Sequence, residues 1–151
     1  MKKLAIGLLL SMVSVSAFAN IPTFKTLADE KATFELCQNY ADTFNKNLSS
    51  NVKPAFDVVK PYYVTPTIEL DSIEYATNKF IGGYEKYKLG DYLETVHIDS
   101  NKFAKDHFIH HRFLLKRTMN AWHVSCTFYK PKDKWQLHTF NFNDNPHLFN
   151  D

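Results

Sequence analysis

The chain reads as one α+β domain, with N-terminal helices packed on a curved antiparallel β-sheet. Two observations predict this. Apolar residues recur at helical spacing through the first half, and after Gly90 the period becomes that of strands separated by turn signals. A third observation sets the scale. With 44% hydrophobic, 15% aromatic and 23% charged residues, the 151-residue chain has the composition of a folded protein. That length supports one sizeable core and is too short for two ordinary domains.

The first nineteen residues read as a signal peptide. Met1-Lys2-Lys3 is a basic start, Leu4 to Val15 is an apolar run, and Ala17-Phe18-Ala19 supplies small residues for cleavage. Cleavage is expected after Ala19, leaving residues 20–151 as the mature single domain in the periplasm or secreted medium. The apolar run is too short to anchor the chain, and no second stretch of spanning length follows. Removing Lys2 and Lys3 lowers the basic count from 18 to 16, equal to the 16 acidic residues. A neutral chain is a poor match for nucleic acid or an anionic membrane.

The first helix is expected over Lys25–Leu48. Phe34, Cys37, Ala41, Phe44 and Leu48 follow one another at intervals of three, four, three and four, with Leu27 before them. Asp29, Glu30, Glu35, Gln38, Asp42 and Asn45 take the opposite side, and Asn47, Ser49, Ser50 and Asn51 stop the helix. Pro54 opens a short helix, Ala55 to Lys60, which Pro61 closes. A third helix is expected from Pro66 to about Lys88, with Leu70, Ile73, Thr77, Phe80 and Tyr84 as its buried stripe, a kink at Gly82-Gly83 and a stop at Gly90. Four strands follow: Tyr92–Ile98, His107–Arg117, Ala121–Lys130 and Trp135–Asn143. Turns at Met119-Asn120 and at residues 131–134 make a meander.

The turns set the faces. The second places Phe128 opposite Leu137 and Cys126 opposite Thr139; the first places Phe113 opposite Cys126 and His123 opposite Lys116. One face then carries Ile109, Phe113, Leu115, Trp122, Val124, Cys126, Phe128, Trp135 and Leu137, ready for helices to cover. The other is mixed polar and aromatic, with Arg112, His123, Tyr129 and Phe140 among its members. A slip of one residue would exchange the faces of a strand.

The closing segment, Trp122-His123-Val124-Ser125-Cys126-Thr127-Phe128-Tyr129-Lys130-Pro131-Lys132-Asp133-Lys134-Trp135 and then Phe140-Asn141-Phe142-Asn143-Asp144, resembles the end of small exported bacterial proteins of the nuclear transport factor 2-like, or ketosteroid isomerase-like, superfamily. The resemblance covers the mature chain as a pattern and its last quarter in residues. It implies a cone-shaped, cystatin-like topology, a pocket between helices and sheet, and pairing through the outer sheet face. Enzymes of the superfamily use a carboxylate base with a tyrosine or acid as oxyanion donor. The inner face has no Asp or Glu at a strand centre, so no catalytic residue is assigned.

Cys37 and Cys126 lie mid-stripe, one on a helix and one on the sheet face it should cover. In an oxidising compartment they form a disulfide, or else remain two buried thiols. His110, His123 and His138 share a face, but a neighbouring lysine disfavours a metal there, and none is expected. No cofactor motif occurs. The 13 Phe, eight Tyr and two Trp point to a pocket or an interface as well as a core.

The first functional expectation is a non-catalytic binding module. It holds a small apolar or amphipathic ligand through Tyr40, Phe44, Tyr62, Tyr63, Phe113 and Trp122. The second is a protein-interaction module, immunity-like or accessory, which pairs with itself or with another exported protein through Arg112, His123, Tyr129 and Phe140. The third is an isomerase or hydrolase using a pocket carboxylate.

Overall fold

The computed structural model describes residues 23–64, 67–84 and 86–144; the expected signal peptide and its cleavage site lie outside them. Helices α1 (Glu30–Asn47), α2 (Lys53–Val59), α3 (Thr67–Gly82) and the single turn α4 (Lys86–Leu89) precede four strands: β1 (Tyr92–Phe103), β2 (Phe108–Arg117), β3 (Ala121–Tyr129) and β4 (Gln136–Asn143). The sheet is an antiparallel meander in the order β1-β2-β3-β4, with the helices on one face. This is the expected α+β architecture.

Helix α1 begins at Glu30 rather than Lys25, because the Asp29 carboxylate accepts from the Ala32 amide at 2.8 Å and caps it. The residues before it run extended, and Leu27 exchanges backbone hydrogen bonds with Trp135 at 2.9 and 3.0 Å. Along α1, Thr33, Cys37, Ala41 and Asn45 are each fully buried, four residues apart on one row. Each of the three outer from Ala41 ties the helix to the sheet: Thr33 meets His111, Cys37 is bonded to Cys126, and Asn45 donates to the Glu94 carbonyl at 2.9 Å. Asn45, expected on the solvent side, is therefore a buried tie. Its carbonyl and side-chain oxygens also accept from Arg117.

Arg117 closes the C-terminal end of this contact. Its guanidinium donates to the Leu89 carbonyl at 2.9 Å, to Asn45 and to Ser49 Oγ and to the Gly90 carbonyl at 2.7 Å. These acceptors lie at the C-terminal ends of α1 and α4, where a cation is favoured. Burial pushes its ionisation below the ordinary arginine range, yet its acceptors include no carboxylate.

The expected third helix is two pieces. Gly82-Gly83 ends α3 outright: the Gly83 amide reaches back to the Lys79 and Phe80 carbonyls at 3.2 Å. The expected stripe is rotated. Leu70, Thr77 and Ile81 are buried, whereas Ile73 is 39% and Phe80 52% exposed and Tyr84 is half-buried.

Strand β1 runs five residues past Ile98, where alternation was expected to end. Bulges after Tyr92 and after His97 insert Leu93 and Ile98 as extra residues, and both are exposed. A bulge breaks the period-two pattern from which a strand is read. Three consecutive left-handed residues, Ala104, Lys105 and Asp106, then turn the chain into β2.

The β2–β3 turn sits one residue earlier than expected, at Thr118-Met119, with the Arg117 amide donating to the Asn120 carbonyl at 3.1 Å. Phe113 therefore faces Val124 rather than Cys126, and His123 faces Leu114 rather than Lys116. Moving a turn by one residue shifts the partners by two, so the faces are preserved. Gly90 holds the turn in place. At φ 67° it lies so close that a Cβ would come 2.6 Å from the Met119 amide nitrogen. All nine expected inner-face residues are 4% exposed or less.

In the last hairpin Phe128 faces Leu137 as expected, but a bulge opposite Thr127 and Phe128 puts Cys126 against Phe140, not Thr139. Phe140, expected on the outer face, is an inner residue. Its ring packs against Tyr40, Phe56 and Tyr63 at 5.1–5.6 Å. A regular register would have turned Thr139 and Asn141 inward. The bulge instead brings Phe140 and Phe142 to the helices, and apolar burial favours that register.

Cys37 and Cys126 form a disulfide, with Cα atoms 5.8 Å apart, across 89 residues of sequence. Chain-entropy reasoning assigns such a closure about 4–5 kcal/mol. A Cys37→Ala, Cys126→Ala double variant should lose stability on that scale in urea unfolding, and the wild type under reductant should match it. A loss below about 1 kcal/mol would show that the α1–sheet contact does not depend on the bond.

Candidate functional site

The six aromatic residues expected to line a pocket fall into three places. Tyr40 and Phe44 are fully buried and form one cluster with Phe56, Phe140 and the half-buried Tyr63. Phe113, also fully buried, packs against Phe34 and His97. Trp122 lies elsewhere, against Phe80, Tyr84 and Phe142. Tyr62 is half-buried at the margin, where Lys25 Nζ stands 5.9 Å from its ring centre. Side chains thus fill the space between α1 and the sheet where a deep pocket was expected.

A tyrosine-and-carboxylate pair in that space would mark an enzyme pocket. Tyr40 has a buried hydroxyl with no hydrogen-bond partner among the described residues, and burial pushes its ionisation far above the ordinary tyrosine range. Among the described residues no Asp or Glu is buried, and the rings around Tyr40 are those of Phe44, Phe56 and Phe140. Its position has the character of core packing.

On the outer face, Arg112 holds Asp99 through a two-pronged ion pair, one bond of which is 2.9 Å, and keeps that carboxyl below its usual range. His110 Nδ1 bonds Thr127 Oγ1 at 2.8 Å. His123 is only 6% exposed although it belongs to this face. Phe103, Phe108 and Tyr129 stack in a row across three strands, with centroids 5.1 and 4.8 Å apart, and His138 meets Phe108 edge-on. Thus Arg112, His123 and Tyr129 lie where expected, and Phe140 does not. Among the described residues no three of His, Cys, Asp and Glu converge as metal ligands.

One hydrogen-bonded chain has the outline of a nucleophile with its base. Thr33 Oγ1 donates to the Glu30 carbonyl at 2.7 Å, so it accepts from His111 Nε2 at 2.9 Å. His111 Nδ1 is then the acceptor for the Ser100 hydroxyl at 2.7 Å, and Ser100 Oγ accepts from His97 Nε2 at 2.9 Å. A serine aimed at an imidazole is half of an acyl-transfer site. The other half is a charge behind the imidazole, and here a neutral threonine occupies that place. Burial, with His97 and His110 nearby, pushes His111 down to about 4. The imidazolium that such catalysis requires is disfavoured, and the chain acts as a strut from α1 to β1 and β2.

Among several surface depressions of similar size, including those at residues 131–136 and beside Glu35, Gln38 and Asp42, the one with aromatic walls is a cleft where the end of α3 meets the ends of β3 and β4. It encloses about 320 Å³ and is lined by Phe80, Trp122, Phe142, Asn143 and Asp144. The last turn of α3 supplies Phe80, the glycine turn swings Tyr84 beside it at 5.4 Å, and the bulge in β4 sets Phe142 inward, 6.3 Å from Trp122. Tyr84 donates to Asp144 Oδ2 at 2.6 Å, which raises the tyrosine's ionisation. Trp122 is the floor; its buried Nε1 has no partner among the described residues. Of the expected ligand residues only Trp122 belongs to this cleft. Phe80 had been read as core, and Phe142 and Asp144 carried no signal beyond the closing motif.

Among the described residues no helix is long and apolar enough to cross a membrane. No family model, no curated protein and no solved structure matches the chain.

The buried histidines dictate a pH dependence. Burial pushes His111 down to about 4, so it is neutral in the native state, and burial lowers His110 and His123 as well. Above about pH 6.5 neither native nor unfolded His111 is charged, and its contribution is complete. As the pH falls toward 4, the unfolded chain binds the proton first and stability drains away, by roughly 3 kcal/mol for His111 alone. Urea midpoints should therefore fall between about pH 7 and pH 5, less steeply in His111→Gln. An identical slope in the variant would mean that native His111 is protonated normally.

Proposed function

We propose that the chain is an exported, non-catalytic binding module that holds a small amphipathic molecule in the cleft between α3 and the ends of β3 and β4. The observation that carries this reading is the cleft of about 320 Å³, floored by Trp122, walled by Phe80 and Phe142 and edged by Asn143 and Asp144. Its size lies at the lower end of small-ligand sites, and it joins apolar walls to a few polar groups, the usual composition of such sites. Phe80 supports the reading because 52% of it stays in water beside the cleft. The resemblance to nuclear transport factor 2-like proteins fits, with the ligand at the rim of the helix–sheet layer rather than deep inside it.

Native mass spectrometry of protein purified from the exporting cell tests the reading. The wild type should carry a small molecule that denaturation releases. Phe80→Asp, an exposed position, should lose it at unchanged melting temperature. A wild type with no bound mass, or a bound mass retained in Phe80→Asp, would sink the assignment.

One observation favours a second reading, an interaction module working through the outer face: the Phe103–Phe108–Tyr129 stack, whose first ring is 47% exposed. Stacked rings open to water at one end of a sheet suit a second copy of the chain. Sedimentation at high protein concentration should show a dimer that Phe103→Glu dissociates. A monomer at all concentrations would eliminate self-pairing.

A further inference from the structure

We infer that one end of the sheet docks on an anionic lipid surface; this region lies apart from the cleft, and the inference does not rest on the binding reading above. Phe103, Phe108, Tyr129 and Gln136 stand abreast on the four strands. The β1–β2 turn at residues 104–107 and the β3–β4 loop at residues 130–135 therefore project from the same level. They also touch, since the Lys130 amide donates to the His107 carbonyl at 2.8 Å. Two hairpin tips held level and side by side make a blunt end, and a plane laid across that end meets both.

The charges at this end have one dominant sign. Lys102, Lys105, Lys130, Lys132 and Lys134 lie in or beside the two tips, against Asp106 and Asp133. Lys102 is engaged by Glu30 at 2.7 Å, and Lys130 Nζ stands 5.4 Å from the Trp135 ring centre. Lys105, Lys132 and Lys134 are exposed and form no ion pair among the described residues. The total charge of the mature chain made an anionic membrane a poor match. The fold changes that expectation, because it gathers lysines at one end and leaves the remainder of a neutral chain acidic. Such an asymmetry turns the molecule tips-first toward a negative surface.

An apolar element completes the surface. Phe103 ends β1 directly behind the first tip; it is 47% exposed and begins the stack with Phe108 and Tyr129. Lysines draw a protein to anionic headgroups, and a ring that enters the interface adds the second signal that stable attachment needs. The lysine stems are long enough to keep their charges at headgroup level while the ring descends. The same features disfavour a polynucleotide. The charges are spread over a plane and not along a line, and no arginine is among them to clasp a phosphate in two-pronged fashion. Both faces of the Phe108 ring are taken within the stack, so it offers no platform for a base. Pairing of two copies through the stack would use Phe103 and leave the lysines in water.

The test is co-sedimentation of protein purified from the exporting cell with vesicles of phosphatidylcholine alone or of phosphatidylcholine and phosphatidylglycerol in equal parts. The wild type should bind the anionic vesicles at least about tenfold more tightly, and about 1 M salt should abolish the difference. Lys132→Glu with Lys134→Glu, and separately Phe103→Ser, should each weaken anionic binding severalfold at unchanged melting temperature. Lys53→Glu with Lys79→Glu, the same charge change on α2 and α3, should leave most of it. All variants share one N-terminus, so any contribution from residues 1–19 cancels. Binding that ignores lipid charge, or no binding, would overturn the inference. Equal losses in the two lysine pairs would overturn it too, since total charge would then be decisive. So would Phe103→Ser binding as the wild type does, which would leave only a diffuse ionic attraction. Tighter binding to a single-stranded oligonucleotide than to the anionic vesicles at the same salt would overturn it in favour of a polynucleotide.

Discussion

The structure depends on one contact, the seating of the small-residue row of α1 on the middle of the sheet. Ala41 permits close approach, and the other members of the row each add a tie of a different kind. Thr33 ends a hydrogen-bond chain through His111, Cys37 is covalently joined to Cys126, and Asn45 is locked by Arg117 and the Glu94 carbonyl. The order along the helix is polar, covalent, polar. Leu36, Tyr40, Phe44 and Leu48 flank that row and supply the apolar burial. A helix held at both ends and the centre has one fixed seat on the sheet. It fixes where α3 is left over at the margin.

That margin is where the candidate site forms. Helix α3 packs beside α2, with Leu70, Thr77 and Ile81 buried, and its last turn overhangs the ends of β3 and β4, where Phe80 meets Trp122. The overhang is short because two glycines end the helix there. The same glycines allow Tyr84 to turn back against Trp122 and Asp144. The cleft is therefore a by-product of a helix stopping early, and its walls come from three segments far apart in the chain.

Much of this was legible from local pattern. The α+β order, the meander and the inner face of β2 and β3 follow from periodicity, because a strand that packs on one side must alternate. The pairing of Cys37 with Cys126 was open between a bond and two thiols, since pattern places residues on faces but not at distances. What failed has a common cause. The bulges at Leu93, Ile98 and His138 each insert one residue, and the decision to insert it is made by the partner strand and the helices. Phe140 lies inside because Tyr40, Phe56 and Tyr63 leave a place for it. Asn45, His111 and Arg117 look like surface residues by type. They are buried because backbone carbonyls and hydroxyls from distant segments satisfy them. In the site, Trp122 was recognised as aromatic and inward-facing, whereas Phe80 and Asp144 acquire meaning only when α3 is placed.

The two bulges of β1 bear on what this sheet can do in a crowded solution. One border of the sheet, β4, is partly occupied, since Tyr63 forms a bridge to Leu137. The other border is the twelve-residue β1. A straight ribbon of that length would offer a long template for another chain to copy. Here the ribbon is interrupted after Tyr92 and again after His97, and Glu94, Asp99 and Lys102 place charges of both signs along it. A visiting strand would lose its ladder within a few residues of starting one. The irregularity that hid the strand from sequence reading thus also leaves Leu93 and Ile98, the exposed apolar residues at the two interruptions, outside any continuous ladder that a second chain could copy.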